Sequence, residues 1–332
     1  MKKLINDPDA FVDEVLDGLL LAHHHLLRSA APDNRALVRA DAPLDGKVGI
    51  VTGGGSGHLP LFLGYVGSGL CTGVAIGNVF SSPSAEQMLS ATQASSGGAG
   101  VLYLYGNYGG DVLNFDLAGD LADAEGIPTR TVLAADDVAS APPDRAAERR
   151  GIAGIFFAYK CAGAAAERGA DLEGVAEIAA AAVANTRTMG VGLSPTILPA
   201  AGKPTFELAA GEMEIGIGIH GEPGIHRGAL ETADAVTDRL VGAITDDLEL
   251  VSGDRVAVLV NGLGATPLEE LYVLYRRAHA LLDDIGVEIH RPYVGEFATS
   301  LEMAGASVSV IRLDNELTQL LDAPARSPFF QQ

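Results

Sequence analysis

The amino-acid sequence predicts an α/β protein of two domains, each a mixed β-sheet covered by helices. Three observations carry this reading. The chain has 332 residues, more than one core usually organises. Hydrophobic side chains make up 48% against 20% charged, which suits two buried cores and excludes a disordered chain. Short apolar, β-rich runs alternate with helical patterns along the chain, and the first of them break into glycine-rich sequence.

Taken in order, Phe11, Val12, Val15, Leu16, Leu19 and Leu20 recur at helical spacing, so an amphipathic helix is expected over about Asp9 to Leu27. His23, His24 and His25 fall inside that pattern. Three consecutive helical positions point in three directions, so helix surface is expected rather than a metal tract. Val48 to Thr52 and Val101 to Tyr105 read as strands, each ending in glycines and followed by a helix. Further strands are expected at Thr131 to Leu133, Gly154 to Phe157, Val256 to Val260 and Val308 to Ile311, with helices at Ala162 to Arg168 and Asp171 to Asn185. Near Asn185 to Gly190 an alanine-rich helix gives way to a Pro- and Gly-punctuated, β-rich region. This places the domain boundary there and divides 1–187 from 188–332.

Charge and composition exclude several classes of function. With 22 basic against 43 acidic side chains the formal charge is −21, which opposes nucleic acid and anionic membranes and favours uncharged or cationic partners. No run approaches the roughly 20 apolar residues that cross a bilayer, and Met1 to Pro8 turns polar before any stretch of signal-peptide length, so a cytoplasmic protein is expected. Cys71 and Cys161 lie far apart, outside any Cys-x-x-Cys or zinc spacing, and read as buried thiols.

Four loops offer chemistry. In Gly216-Ile217-Gly218-Ile219-His220-Gly221-Glu222-Pro223-Gly224 one imidazole is mounted in a glycine frame, which permits positive φ and close approach of a ligand; the plainer alternative is a strand ending at His220 before a turn. Thr52-Gly53-Gly54-Gly55-Ser56-Gly57-His58 follows a strand as phosphate-cradling loops do. It lacks the lysine ending of a P-loop, however, and has His58 where a dinucleotide loop needs its third glycine, so a nicotinamide-dependent oxidoreductase is a poor fit. Gly106-Asn107-Tyr108-Gly109-Gly110-Asp111 places a carboxylate at the start of the next helix, to complement the helix terminus or to accept a hydroxyl proton. Phe80-Ser81-Ser82-Pro83-Ser84 offers hydroxyls and amides, or a helix cap.

Together these segments resemble, in order and spacing, the dihydroxyacetone kinase K subunit. Ala200 to Pro204, Asn261 to Pro267, Thr299 to Gly305 and Asp322 to Pro324 extend the resemblance over nearly the whole chain. It implies that His220 bonds reversibly to a ketose carbonyl as a hemiaminal, that Asp111 is the general base on the hydroxyl to be phosphorylated, and that His58 hydrogen-bonds the substrate. Gly55, Phe80, Ser81, Ser82 and Gly106 would line the pocket. It further implies a homodimer, no cofactor on this chain, and a separate L subunit carrying ADP or ATP with magnesium, because no nucleotide-binding module follows Pro324. The same pocket in a ketose-sensing coactivator is the alternative. Gly106 stands where the family commonly has lysine, and Leu59 and Asn78 where glutamates are common, so a longer ketose such as erythrulose is expected to fit better than dihydroxyacetone.

Overall fold

The computed structural model describes residues 2–332. The chain divides into two compact units, each built on one six-stranded mixed sheet, as expected.

The first unit contains α1 (Phe11–His23), β1 (Leu27–Ser29), β2 (Ala36–Arg39), β3 (Gly49–Ser56), β4 (Gly73–Val79), α2 (Ala85–Ser95), β5 (Val101–Gly106), α3 (Gly109–Ala124) and β6 (Thr129–Ala134). Its sheet runs β1-β2-β4-β3-β5-β6, with the last three contacts parallel and the first two antiparallel. From the central β3 the chain moves outward one way to β4 and, after α2, the other way to β5 and β6. The strand order therefore reverses between β3 and β5, where open α/β sheets place ligands beyond their carboxyl ends. These two strands pair only over Gly49–Val51 and Val101–Tyr103, so their carboxyl halves are no longer bonded to each other. Val51, Ala75, Met88, Tyr103 and Phe115 pack one face of the sheet under α2 and α3. Side chains alternate along a strand, so Thr52 faces the other way. There its hydroxyl meets Tyr159 Oη at 2.7 Å.

Tyr159 lies on α4 (Ile155–Glu167), which α5 (Leu172–Ala184) follows. Gly154 to Phe157, expected as a strand, opens α4 instead. Ile155 through Ala162 are all buried, and a helix buried all round shows an unbroken apolar run that periodicity does not distinguish from a core strand.

The second unit contains β7 (Thr186–Ser194), β8 (Glu212–Ile215), β9 (His226–Ala229), α6 (Ala233–Leu248), β10 (Arg255–Gly262), α7 (Leu268–Asp284), β11 (Glu288–Gly295) and β12 (Ala304–Leu313), with α8 (Asn315–Leu321) leading back to the first unit. Its sheet runs β11-β10-β12-β7-β8-β9, and only β10 and β11 pair in parallel. Val236, Leu240, Ile244 and Leu248 on α6, and Leu271, Leu274, Ala278 and Leu282 on α7, recur at three- and four-residue spacing and bury one face of that sheet.

The two sheets divide between β6, which ends at Ala134, and β7, which begins at Thr186, and the compact units are discontinuous. The first comprises Met1–Ala134, Phe157–Ala181 and Leu317–Gln332, the second Ala135–Phe156 and Ala182–Glu316. Specific polar ties explain the interleaving. Arg149 is fully buried and donates two parallel bonds to Asp247 of α6, at 2.8 and 2.6 Å, while Val138 N–H bonds to Thr188 O. In the first unit Arg326 pairs with Ser68, and the buried Lys160 ammonium donates to Ala323 O at 2.5 Å. No helix among the described residues is long and apolar enough to cross a membrane, and no cluster of three or more His, Cys, Asp or Glu could hold a metal ion. Cys71 and Cys161 are buried and in no disulfide.

Candidate functional site

The first glycine run is not a loop. β3 continues through Ser56, with Gly53 to Ser56 paired to β4, and the backbone turns only at Gly57, where φ is +101°. Close packing explains the glycines: a Cβ on Gly54 would lie 2.4 Å from the Phe62 ring, and one on Gly55 2.6 Å from Ser81 N. Gly55 thus allows the Phe80 to Ser82 backbone to lie against the strand end. Phe80 itself has a φ of +55°.

His58 follows the turn and is 1% exposed. Its ring stacks on Phe80 with centroids 4.8 Å apart and meets Phe62 edge-on at 6.1 Å. Both rings come from residues held at positive φ.

Asp111 sits in the first turn of α3 and is buried at 8% exposure. It does not cap the helix; the capping position is Tyr108, whose side chain makes no cap bond. Burial first, then the charges of Asp116 and Asp111, raise the Tyr105 phenol well above its usual range. One turn on, Asn114 Nδ2 donates to Pro83 O at 2.8 Å and to Ser82 Oγ at 3.4 Å, fastening the Ser81–Ser82 loop to the helix that carries Asp111. Gly106 closes β5 and is buried. The first unit therefore gathers Gly55, His58, Phe80, Ser81, Ser82, Gly106 and Asp111 around the carboxyl ends of β3, β4 and β5. The helix-cap role belongs to Ser84, which forms a capping box with Gln87 at the start of α2.

His220 belongs to the second unit. β8 ends at Ile215, so His220 does not terminate a strand; it lies in a turn, with φ of +79° at Gly216 and +94° at Gly221 bracketing it. Its side chain is 24% exposed. Nδ1 lies 2.8 Å from Glu222 Oε1, and the His220 backbone N–H donates to Glu222 Oε2. Behind the carboxylate stands Arg150, with NH1 3.7 Å from Glu222 Oε2 and NH2 2.9 Å from the buried Asp137. Burial alone would raise the Glu222 carboxyl. The hydrogen bond and charge of His220, the His220 backbone N–H and Arg150 outweigh it and hold the group at about 2. At Asp137 burial wins over Arg150, with Asp136 adding to it, and the carboxyl is pushed up to about 6. Reasoning from sequence passed over Glu222, Arg150 and Asp137. Glu222 was legible as the one charged group inside the glycine frame, whereas Arg150 and Asp137 arrive from a distant segment with no motif around them.

An α/β chain with a reversal in strand order, a buried histidine and aspartate beyond the strand ends, and a loop histidine clasped by a carboxylate has the parts of a small-molecule enzyme acting on hydroxyl and carbonyl groups. The chain belongs to the Dak1 domain family, whose pattern it matches over residues 17–329. It is 45% identical to the dihydroxyacetone-binding subunit DhaK of PTS-dependent dihydroxyacetone kinase 2 of Listeria innocua, across 100% of this chain and 99% of that one. It is 46% identical to the D-erythrulose kinase of Mycolicibacterium smegmatis, again across 100% of this chain but spanning 57% of that longer protein. Among solved structures the dihydroxyacetone kinase operon co-activator Dha-DhaQ superposes with a TM-score of 0.88 at 30% identity, covering 95% of this chain and 97% of that one.

Proposed function

We propose that the chain is the ketose-binding part of a dihydroxyacetone kinase-type phosphotransferase. His220 adds to the ketose carbonyl as a hemiaminal, and Asp111 takes the proton from the terminal hydroxyl as that oxygen attacks phosphorus. His58 hydrogen-bonds the bound sugar, and Gly55, Gly106 and the Phe80 to Ser82 backbone line its site. The observation that carries the reading is the setting of His220: a ring mounted off the sheet in a tight turn, one nitrogen tied to a carboxylate, an arrangement suited to a nucleophile and superfluous in a core residue. Covalent capture selects ketoses over polyols, which have no carbonyl. It also holds the hydroxyl in place, the positioning that phosphoryl transfer chiefly requires.

The nucleotide, ADP or ATP with magnesium, is assigned to a separate L subunit in a cytoplasmic complex, with this chain a homodimer. Support comes from the match along 99% of a dihydroxyacetone-binding subunit. A ketose longer than dihydroxyacetone is favoured, because Gly106 at the end of β5 offers neither the volume nor the donor of a lysine, and because D-erythrulose kinase is 46% identical. The same fold in a co-activator supports ketose sensing as a second reading, against which the retained Asp111 counts.

Calorimetric titration with dihydroxyacetone, both erythrulose enantiomers, longer ketoses and glycerol tests the reading on wild type and on His220→Ala. One ketose is expected to bind and to lose affinity in the variant, with glycerol inert. Equal binding of glycerol, or unchanged binding by His220→Ala, removes carbonyl capture.

A further inference from the structure

We propose that Glu222 sets the proton on His220: its carboxylate keeps the ring proton on Nδ1, leaves the lone pair on Nε2, and balances the imidazolium charge that ketose capture creates. The inference deepens the proposed function and rests on His220 being the group that adds to the carbonyl.

Both donors of His220 that face this turn, the backbone N–H and Nδ1, meet the two oxygens of one carboxylate. The turn is built for that clasp. Gly221, at φ +94°, folds the chain back so that a residue two positions on reaches the ring, and Gly218 leaves room, since a Cβ there would lie 2.1 Å from Glu222 Oε2. Arg150 stands behind the carboxylate, itself fixed by Asp137, which is 1% exposed. An ionised carboxylate only accepts hydrogen bonds, so Nδ1 must donate, and the lone pair of the neutral ring then lies on Nε2. In the addition that lone pair forms the C–N bond. The carbonyl π bond breaks, its electron pair goes to oxygen, and that oxygen takes a proton from solvent. The ring, now bonded to carbon at Nε2 and still protonated at Nδ1, carries a positive charge beside Glu222. Glu222 is thus a positioning residue that acts through His220.

Glu222→Gln tests this sharply because it keeps the shape and removes one acceptor. An amide has a single oxygen. Turned toward the His220 backbone N–H, that oxygen leaves the NH₂ facing Nδ1, which must then accept, and the ring proton moves to Nε2 where it blocks the nucleophile. The full chain, labelled with nitrogen-15, reports the tautomer through long-range proton–nitrogen spectra, with His220 assigned by its loss in His220→Ala. Dihydroxyacetone carrying carbon-13 at its carbonyl reports capture, as the ketone signal becomes that of a tetrahedral carbon. Wild type is expected to show the Nδ1–H form. E222Q is expected to show the Nε2–H form and capture weaker by on the order of 100-fold or more, as when a group orienting an imidazole is lost. Retention of Nδ1–H in E222Q overturns the proposal, and so does wild-type capture despite the switch. If E222Q does not fold, Glu222→Asp carries the test: it should keep the Nδ1–H form and capture within about tenfold of wild type, and an Nε2–H form there overturns the proposal. A tetrahedral carbon in His220→Ala would instead remove the capture reading, a result distinct from the tautomer comparison.

Discussion

At the scale of single residues, Asp111 shows how a position fitted for helix stability is available for chemistry. A carboxylate in the first turn of α3 interacts favourably with the helix dipole wherever it points, so an exposed one would suffice. Asp111 is buried instead, its charge adding to the rise of the Tyr105 phenol, with the Ser82 loop fastened one turn away through Asn114. A buried carboxylate kept for stability alone is hard to justify, since burial opposes its charge. Asp111→Asn, which keeps shape and removes basicity, is therefore expected to lower kcat by about 10²–10⁴-fold with the L subunit and nucleotide present, while ketose affinity changes little. Turnover followed by a coupled assay, alongside calorimetry on the same variant, separates the two quantities. Undiminished turnover would sink the base assignment and favour the sensing alternative.

At the scale of elements, the polar ties of the 135–156 segment matter more than its composition. Arg149 makes its two bonds to Asp247 with side chains 1% and 9% exposed, and Arg187 pairs with the same carboxylate. Arg149→Ala leaves Asp247 with Arg187 alone and empties a buried site, so it is expected to destabilise the second unit by somewhat less than the ~3–5 kcal/mol that a fully orphaned buried charge costs. Urea denaturation measures it; a loss under about 1 kcal/mol would mean the pair is solvated, as surface pairs are. The same segment marks where the sequence stopped being legible. Strands β3, β5, β6, β10 and β12 were all visible as short apolar, β-rich runs, and α1 as a one-sided apolar stripe. Gly154 to Phe157 was misread because burial on all sides erases the period that separates strand from helix. The discontinuous units were invisible for a related reason: they are set by single contacts such as Arg149 with Asp247 and Lys160 with Ala323, between residues far apart in the chain with nothing local to mark them. The glycines of β3 were read as a loop. Their cause is the approach of Phe62 and of the Phe80–Ser81 backbone, which only the folded chain displays. His220, His58 and Asp111 could be singled out because each lies in or beside a segment of unusual composition, and Glu222 could have been read from the same frame as His220.

At the scale of the molecule, a chain of charge −21 is opposed to anionic ligands generally, which suits the capture of an uncharged ketose and leaves its carboxylates to govern response to pH. Two of them in the second unit pull in opposite directions. Glu222 is held at about 2, below its ordinary 4.5, so its contribution is complete above about pH 4.5 and is lost as pH falls toward 2. That window corresponds to about 3 kcal/mol at most, at about 1.4 kcal/mol per unit. Asp137 is raised to about 6 from 3.8, so the folded state holds its proton more tightly than the unfolded chain does. Stability is therefore lost as pH rises from about 4 to about 6, by a similar amount. The second unit is expected to be most stable near pH 4 to 5 as far as these two groups decide it, with Asp247 steepening the acid side because Arg149 and Arg187 lower it against the pull of burial. Unfolding free energies from urea titrations between about pH 3 and pH 7 would show each limb. Asp137→Asn should flatten the decline between pH 4 and 6, and Glu222→Gln should flatten part of the decline below pH 4.5, whatever either does to the absolute level. An unchanged slope in Asp137→Asn would mean that Arg150 keeps Asp137 ionised throughout, and the Arg150 guanidinium behind Glu222 would then be neutralised twice over rather than shared.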